Sequence, residues 1–271
     1  MFNPRLGWQI YSMEIRRAFA YRSDFWLAFI VSTLAQFVVA WFLWKSIFAY
    51  KGISTIGTFT FQSLMFYYLL VPIIGRTVFG GNMGDIASEI YQGSLTRYLV
   101  YPVSFIRYKL LMHFANATIL LMQLLMVMGL VLLFFPSFAS GYTITFPGIA
   151  LGIVTLAMST LLYFIFSSTI QLIAFWADNV WSLSAILRFI TSLLGGSLIP
   201  LSLFPDTLQP LLALLPFSCF ITLPMQAFLG KLTVASWLQG SAMLVFWGII
   251  CGGCYAILWQ RGNRHYAGVG I

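Results

Sequence analysis

The chain has 271 residues, of which 61% are hydrophobic and 7% charged, with a formal net charge of +8. Soluble domains carry about a quarter of their residues as charges, so this composition excludes a water-exposed surface of ordinary make-up. The length is better divided by the ~20 residues that cross a bilayer. In a soluble protein the positive charge would point to nucleic acid; here its placement around apolar runs matters more than its sum, and no nucleic-acid partner is expected.

Residues 1–24 hold Arg5, Arg16, Arg17 and Arg22 without a short apolar run and small-residue cleavage site, so the segment is read as retained. Leu6, Ile10 and Met13, with Ile15 and Phe19, can share one helix face, with Gln9, Glu14, Arg16 and Arg17 elsewhere, which predicts an interfacial amphipathic helix. Six apolar stretches follow, at 25–44, 59–79, 110–135, 149–175, 182–204 and 237–259. They lack the alternation of barrel strands and are predicted as transmembrane helices. Between the fifth and sixth, residues 207–230 are apolar and nearly span-length but carry Pro210, Pro216 and Pro224. Proline breaks helices, so this stretch is predicted to be a re-entrant pair of short helices in the outer leaflet. The expectation is an all-α integral membrane fold in one domain over 1–271.

Of the 14 Lys and Arg residues, all but Lys45, Lys51 and Lys231 fall on one side of these stretches. The positive-inside rule places both termini in the cytoplasm of a multi-pass protein of the plasma or inner membrane. Trp26, Trp41, Trp44, Trp176, Trp181, Trp237 and Trp259 lie near the predicted span ends, where interfacial anchors belong.

Few residues here carry chemistry. Cys251-Gly252-Gly253-Cys254 has redox or metal spacing but lies inside the sixth stretch, where thiolates are costly and further ligands are lacking. Its small residues, with Gly248, are read as helix packing, and no metal is expected. His113 is read as interfacial and His265 as solvated in the basic tail. Ser167, Ser168 and Gln171 in the fourth stretch either line a pathway or bond neighbouring helices. Arg188, in the fifth, is either a pathway residue or a snorkelling one, with Asp178 and Asn179 nearby to pair with it or to form the turn. A chain this rich in aromatics makes a greasy cavity for amphiphilic cargo plausible.

The most polar stretch within the membrane body is 84–102, GDIASEIYQGSLTRYLVYP. Ile86 and Ile90 are four apart and can face one way on a short helix that Gly93 stops. With Asp85 and Glu89 beside a basic cluster, it is either a docking surface for another protein or an ordinary connection. The run Glu89-Ile90-x-x-Gly93-x-Leu95-x-x-x-Leu99-x-x-Pro102 after the second of six spans, together with Gly196-x-x-x-Pro200-x-x-x-x-Pro205, Leu215-Pro216-Phe217 and Pro224, resembles the ABC-2 type permease family.

The resemblance implies that Asp85, Ile86, Glu89, Ile90, Gly93, Leu95, Arg97, Leu99 and Pro102 form a coupling segment seated in an ATPase subunit. It implies that Gly196, Pro200, Pro205, Pro216, Phe217 and Pro224 close the outer end of the pathway. One departure is Tyr101, where many members carry arginine before the proline. The implied function is the permease subunit of an exporter working as a dimer, identical or related, with two ATPase subunits. No phosphate loop is present, because Gly230-Lys231 is followed by Leu232. ATP and magnesium are therefore expected on the partner and no cofactor here. Two other classes fit less well. A stand-alone ion- or proton-coupled transporter needs carboxylates within its spans, and here all fall at or beyond span ends. A membrane enzyme needs an acid–base or metal constellation, and none is grouped in the sequence.

Overall fold

The computed structural model describes residues 4–20, 22–80, 85–177 and 180–266. In chain order the helices are α1 (Pro4–Ala20), α2 (Arg22–Lys51), α3 (Phe61–Phe79), α4 (Asp85–Tyr91), α5 (Leu95–Leu99), α6 (Phe105–Phe134) and α7 (Phe146–Gln171). They continue with α8 (Trp181–Leu194), α9 (Gln209–Leu214), α10 (Pro216–Phe220), α11 (Thr222–Phe228) and α12 (Val234–His265). A two-residue hairpin, Thr55–Ile56 against Phe59–Thr60, joins α2 to α3. Among the described residues five helices are long and apolar enough to cross a membrane: most of α2 and α12, α3, α6, and α7 with its short extension to Phe175.

Three of the long helices begin where the sequence supplies local caps. Thr60 and Ser63 bond reciprocally at the start of α3, Thr233 and Ser236 do the same at α12, and Thr145 accepts from Gly148 N at α7. At its other end α3 stops at Gly80, whose φ of +72° suits glycine.

α3 is the central element. It is apolar all round and buried almost throughout, with Leu64, Met65, Phe66, Leu70, Ile73 and Ile74 fully enclosed. α2, α6, α7 and α11 pack around it. α2 keeps a broad exposed face of Leu27, Val31, Val39 and Phe42, which suits lipid. Arg76 on α3 is half-buried and donates to Ser32 on α2, so it is held by a neighbour rather than extended freely to the interface. Trp44, expected as an interfacial anchor, is buried against Tyr68 with ring centroids 5.9 Å apart.

α1 lies along α6, with Gly7 buried and the Tyr11 hydroxyl 2.7 Å from Thr118 Oγ1. Met13 and Phe19, on the predicted apolar face, are exposed, as is Trp8. The face that meets α6 is centred on Gly7 and Tyr11.

The fifth apolar stretch differs from its reading as one helix over 182–204. α8 ends at Leu194, and its 14 residues rise about 21 Å, short of a ~30 Å hydrocarbon core. The backbone turns at Gly195 and Gly196, the latter at φ +95°. The carbonyls freed there are satisfied from outside: Tyr67 Oη donates to Gly196 O at 2.7 Å, Tyr68 Oη to Leu198 O at 2.8 Å and Thr222 Oγ1 to Gly195 O at 2.8 Å. Beyond lie three short helices, α9 to α11, rather than a pair. Pro216 stands at the first position of α10, Pro210 at the second of α9 and Pro224 in the first turn of α11, where a missing N–H costs little. Phe220, Ile221, Met225 and Phe228 insert this region into the main core.

Gly248, Gly252 and Gly253 on α12, read above as packing positions, meet nothing within 4 Å of an added Cβ in this chain. The close contacts are made by Gly240 and Gly262 on α12, against Leu223 and Phe175, and by Gly152 on α7. A Cβ at Gly152 would lie 2.6 Å from the fully buried ring of Phe228. Gly152→Ala is expected to destabilise the fold by about 1–3 kcal/mol, read as an earlier thermal transition in detergent, whereas Gly252→Ala leaves it unchanged.

Candidate functional site

Two features gather the polar residues of the basic end: the segment 85–102 and a cavity beside it. In the segment, α4 presents Ile86, Ala87 and Ile90 inward, Gly93 turns the chain at φ +73°, and Leu95 and Tyr98 of α5 complete the seat. These side chains form a second apolar cluster, separate from the main core, with Phe105, Leu172, Ala174 and Val180. Leu99 closes α5. The other surface is exposed: Tyr91 at 47%, Val100 at 81% and Tyr101 at 49%, with Arg97 and Pro102 beside them.

Glu89 turns inward. Its Oε1 lies 2.6 Å from Lys109 Nζ on α6 and accepts from Tyr98 Oη at 2.9 Å, while Arg97 stands 3.7 Å away. Both members of the Glu89–Lys109 pair are nearly buried, with side chains 12% and 10% exposed. Lys109 also sits over the Tyr98 and Phe105 rings, at 5.5 and 5.7 Å. Burial first, and then the bond to Glu89, raise the Tyr98 phenol above its ordinary range. Glu89 is thus an internal strut rather than part of the exposed surface. Two further links complete the mounting. Gln171 Oε1 accepts from Ile86 N and Ala87 N at 3.0 and 3.3 Å, and Tyr266 Oη donates to Gly93 O at 2.7 Å. The segment is therefore tied to α6, to α7 and to the chain just past α12.

The cavity, about 250 Å³, opens between α1, α4, α6 and α7. Glu14 and Arg17 of α1, Asp85 of α4 and Lys109 of α6 bring charge of both signs; Asn116, Ser167, Ser168 and Gln171 add neutral polar groups. Phe79, Tyr163 and Phe164 make an aromatic back wall. His113 lines this space with its ring 5.3 Å from that of Phe164, and its Nε2 is buried without a hydrogen-bond partner among the described residues. It is an inward-facing group, not the interfacial one read from the sequence. Gly80 accommodates it: a Cβ there would come within 2.6 Å of His113 Cε1. Among the described residues no three His, Cys, Asp or Glu side chains gather as metal ligands would.

Residues 34–270 match a family described as ABC-2 family transporter protein. The chain belongs to that family. No curated protein and no solved structure matches it. As an ABC-2 transporter protein it is a membrane component of an ABC transporter, a family that associates with an ABC ATPase.

In this ABC-2 chain the residues singled out from sequence separate into three places. Ser167, Ser168 and Gln171 line the cavity together. Arg188 does not; it is exposed midway along α8 beside Ile186 and Phe189. Asp178 and Asn179 lie outside the described residues. Gly196, Pro200, Pro216 and Pro224 are buried in the broken region after α8, Phe217 is half-buried there, and Pro205 is exposed. Lys109 and Tyr266 were missed as mounting residues. The spacing to Lys109 is local enough to have been tested, but nothing in the sequence marks Tyr266.

Lys109→Met should leave the Glu89 carboxylate buried without its cation and cost about 3 kcal/mol. Pairing it with Glu89→Gln should recover part of that loss, as a double-mutant comparison of thermal unfolding in detergent would show.

Proposed function

We propose that this ABC-2 chain is the permease subunit of an exporter for amphiphilic or lipid-like cargo, driven by ATP hydrolysed on a separate subunit. The observation that supports this most is the exposed tip of 85–102, where Tyr91, Val100 and Tyr101 lie beyond the long helices. Exposed apolar side chains on a segment otherwise rich in polar groups suit a protein-docking surface. Asp85–Pro102 then acts as the coupling segment, with its inward residues Ile86, Glu89, Ile90 and Leu95 mounting it and its outward ones meeting the ATPase.

In this reading the five long helices are joined by α8 with 195–204 as the remaining crossing, and α9 to α11 re-enter and close the outer end. Both termini face the cytoplasm of the cell's plasma or inner membrane. ATP and magnesium bind the partner. Cargo meets the inner cavity, where Ser167, Ser168 and Gln171 face charge of both signs and an aromatic wall accepts an apolar part. Two permease chains, identical or related, work with two ATPase subunits. The position of Arg188 supports a second chain: an exposed guanidinium midway along α8, on the helix face that also carries Ser184, Thr191 and Ser192, is costly against lipid and better placed against protein or a polar path.

The test is mass spectrometry of the tagged chain purified gently from its native membrane. A stoichiometric ATP-binding subunit is expected. Val100→Asp with Tyr101→Asp should weaken its binding by about 2 kcal/mol or more, roughly thirtyfold, without lowering the yield of inserted chain. Recovery of the chain alone, under mild conditions, would sink the assignment.

A further inference from the structure

Gln171 is the last residue of α7, and its carboxamide is buried between two elements 84 and 85 positions apart in sequence. Oε1 accepts from both Ile86 N and Ala87 N, at 3.0 and 3.3 Å. Nε2 donates to Ser167 Oγ, one turn back on α7, at 3.1 Å. Reversing the amide would set its NH₂ against two N–H donors, so the network fixes its orientation. First-turn N–H groups of a helix have no partner within the helix. α3, α7 and α12 meet that need with a threonine just ahead of them. For α4 the preceding residue in sequence is Gly84, which has no side chain to offer, and the acceptor comes from α7.

Two further observations give this contact mechanical meaning. At Gln171 the α geometry of the helix gives way to a 3₁₀ turn, Leu172–Phe175. Such a change of winding within a long helical run often marks a hinge. Leu172 and Ala174 of that turn belong to the apolar cluster that seats Ile86 and Ile90. Gln171, Ser167, Asp85 and Ile86 also line the inner cavity, so the contact is at once the mounting of the coupling segment and part of the cavity wall.

We propose that Gln171 is a positioning residue that makes α4 and the end of α7 one moving unit, so that displacement of the coupling segment changes the width of the inner cavity. This rests on the permease reading above. The apolar cluster holds the segment on but does not fix its direction, because apolar contact is non-directional. The three bonds of Gln171 are directional and set the angle at which α4 leaves α7.

The experiment uses the full chain with its co-purified ATPase in lipid nanodiscs, comparing wild type, Gln171→Leu, Gln171→Glu and Ser167→Ala. Amide hydrogen exchange at Ile86 and Ala87 should rise about tenfold in Gln171→Leu and stay near wild type in Gln171→Glu, whose carboxylate still accepts both N–H groups. The ATPase should remain bound at wild-type stoichiometry in all four, since Tyr91, Val100 and Tyr101 are untouched. Turnover of ATP in Gln171→Leu should fall severalfold in kcat with KM for ATP unchanged. Gln171→Glu should restore it, and Ser167→Ala should fall between. Wild-type kcat in Gln171→Leu would overturn the proposal. So would equal loss in Gln171→Leu and Gln171→Glu accompanied by earlier thermal unfolding, which is a folding defect. If Gln171→Leu fails to insert, Ser167→Ala alone decides, since unchanged exchange and turnover there would overturn the proposal. A wild-type chain that brings no ATPase defeats the permease reading itself, and the role of Gln171 with it.

Discussion

The hydroxyls of Tyr67 and Tyr68 are the contacts on which the irregular half of this protein depends. A chain surrounded by hydrocarbon has no water to meet a freed carbonyl, and each one left bare costs several kcal/mol. The backbone nevertheless leaves helical geometry after Leu194. It can do so because α3, the most deeply buried helix, turns these two phenols toward Gly196 and Leu198, and Thr222 returns a third bond to Gly195. α3 can hold its place because it is capped at Thr60, stopped at Gly80 and apolar on every side. The break after α8, the three short helices and the filling of the core by Phe220 and Phe228 all follow from that one donor-bearing face.

At the basic end the arrangement is reversed. A second, smaller apolar cluster lies apart from the main core and contains the inward residues of α4 and α5. Polar contacts join it to the bundle: Glu89 with Lys109, Gln171 with the α4 amides, and Tyr266 with Gly93. Each involves a different long helix or the chain immediately after it, so the segment samples the positions of α6, α7 and α12 together. A cavity bounded by α1, α4, α6 and α7 lies beside these joints. The cavity and the mounting of segment 85–102 therefore share residues.

Much of this was legible in the sequence because lipid selects so strongly for apolar runs. α2, α3, α6, α7 and α12 correspond to runs whose composition leaves no other solvent. The fifth run was over-read: apolarity continues through Gly195 to Pro200 while the helix does not, and the phenols that make this tolerable are about 130 positions away, as the Tyr68–Leu198 separation shows. Glu89 was taken with the exposed part of the docking stretch, because an isolated carboxylate in a polar run reads as surface. Its partner Lys109 stands 20 positions on, across a turn and the start of a helix. Gln171 was visible as a polar residue in an apolar span, but sequence alone left pathway lining and helix bonding open, and it does both. Tyr266 gave no signal, since a tyrosine beside a basic tail is what an interface ordinarily holds.

The strengths of these contacts divide the labour between them. Ile86, Ile90 and Leu95 are nearly or wholly buried, and lifting the segment from its seat would expose all three. Each such side chain is worth about 1.5–3 kcal/mol of burial, whereas a neutral hydrogen bond nets about 1 kcal/mol. Attachment is therefore set by the apolar cluster, and direction by the polar joints. A force applied at Val100 and Tyr101 cannot peel the segment away without opening that cluster, which also contains Leu172 next to α7 and Phe105 of α6. The cheaper response is for the segment to pivot with the helix ends it is bonded to. The winding changes directly after Gln171, and the cavity lined by α6 and α7 lies beside that change, so a pivot of the segment would act on both.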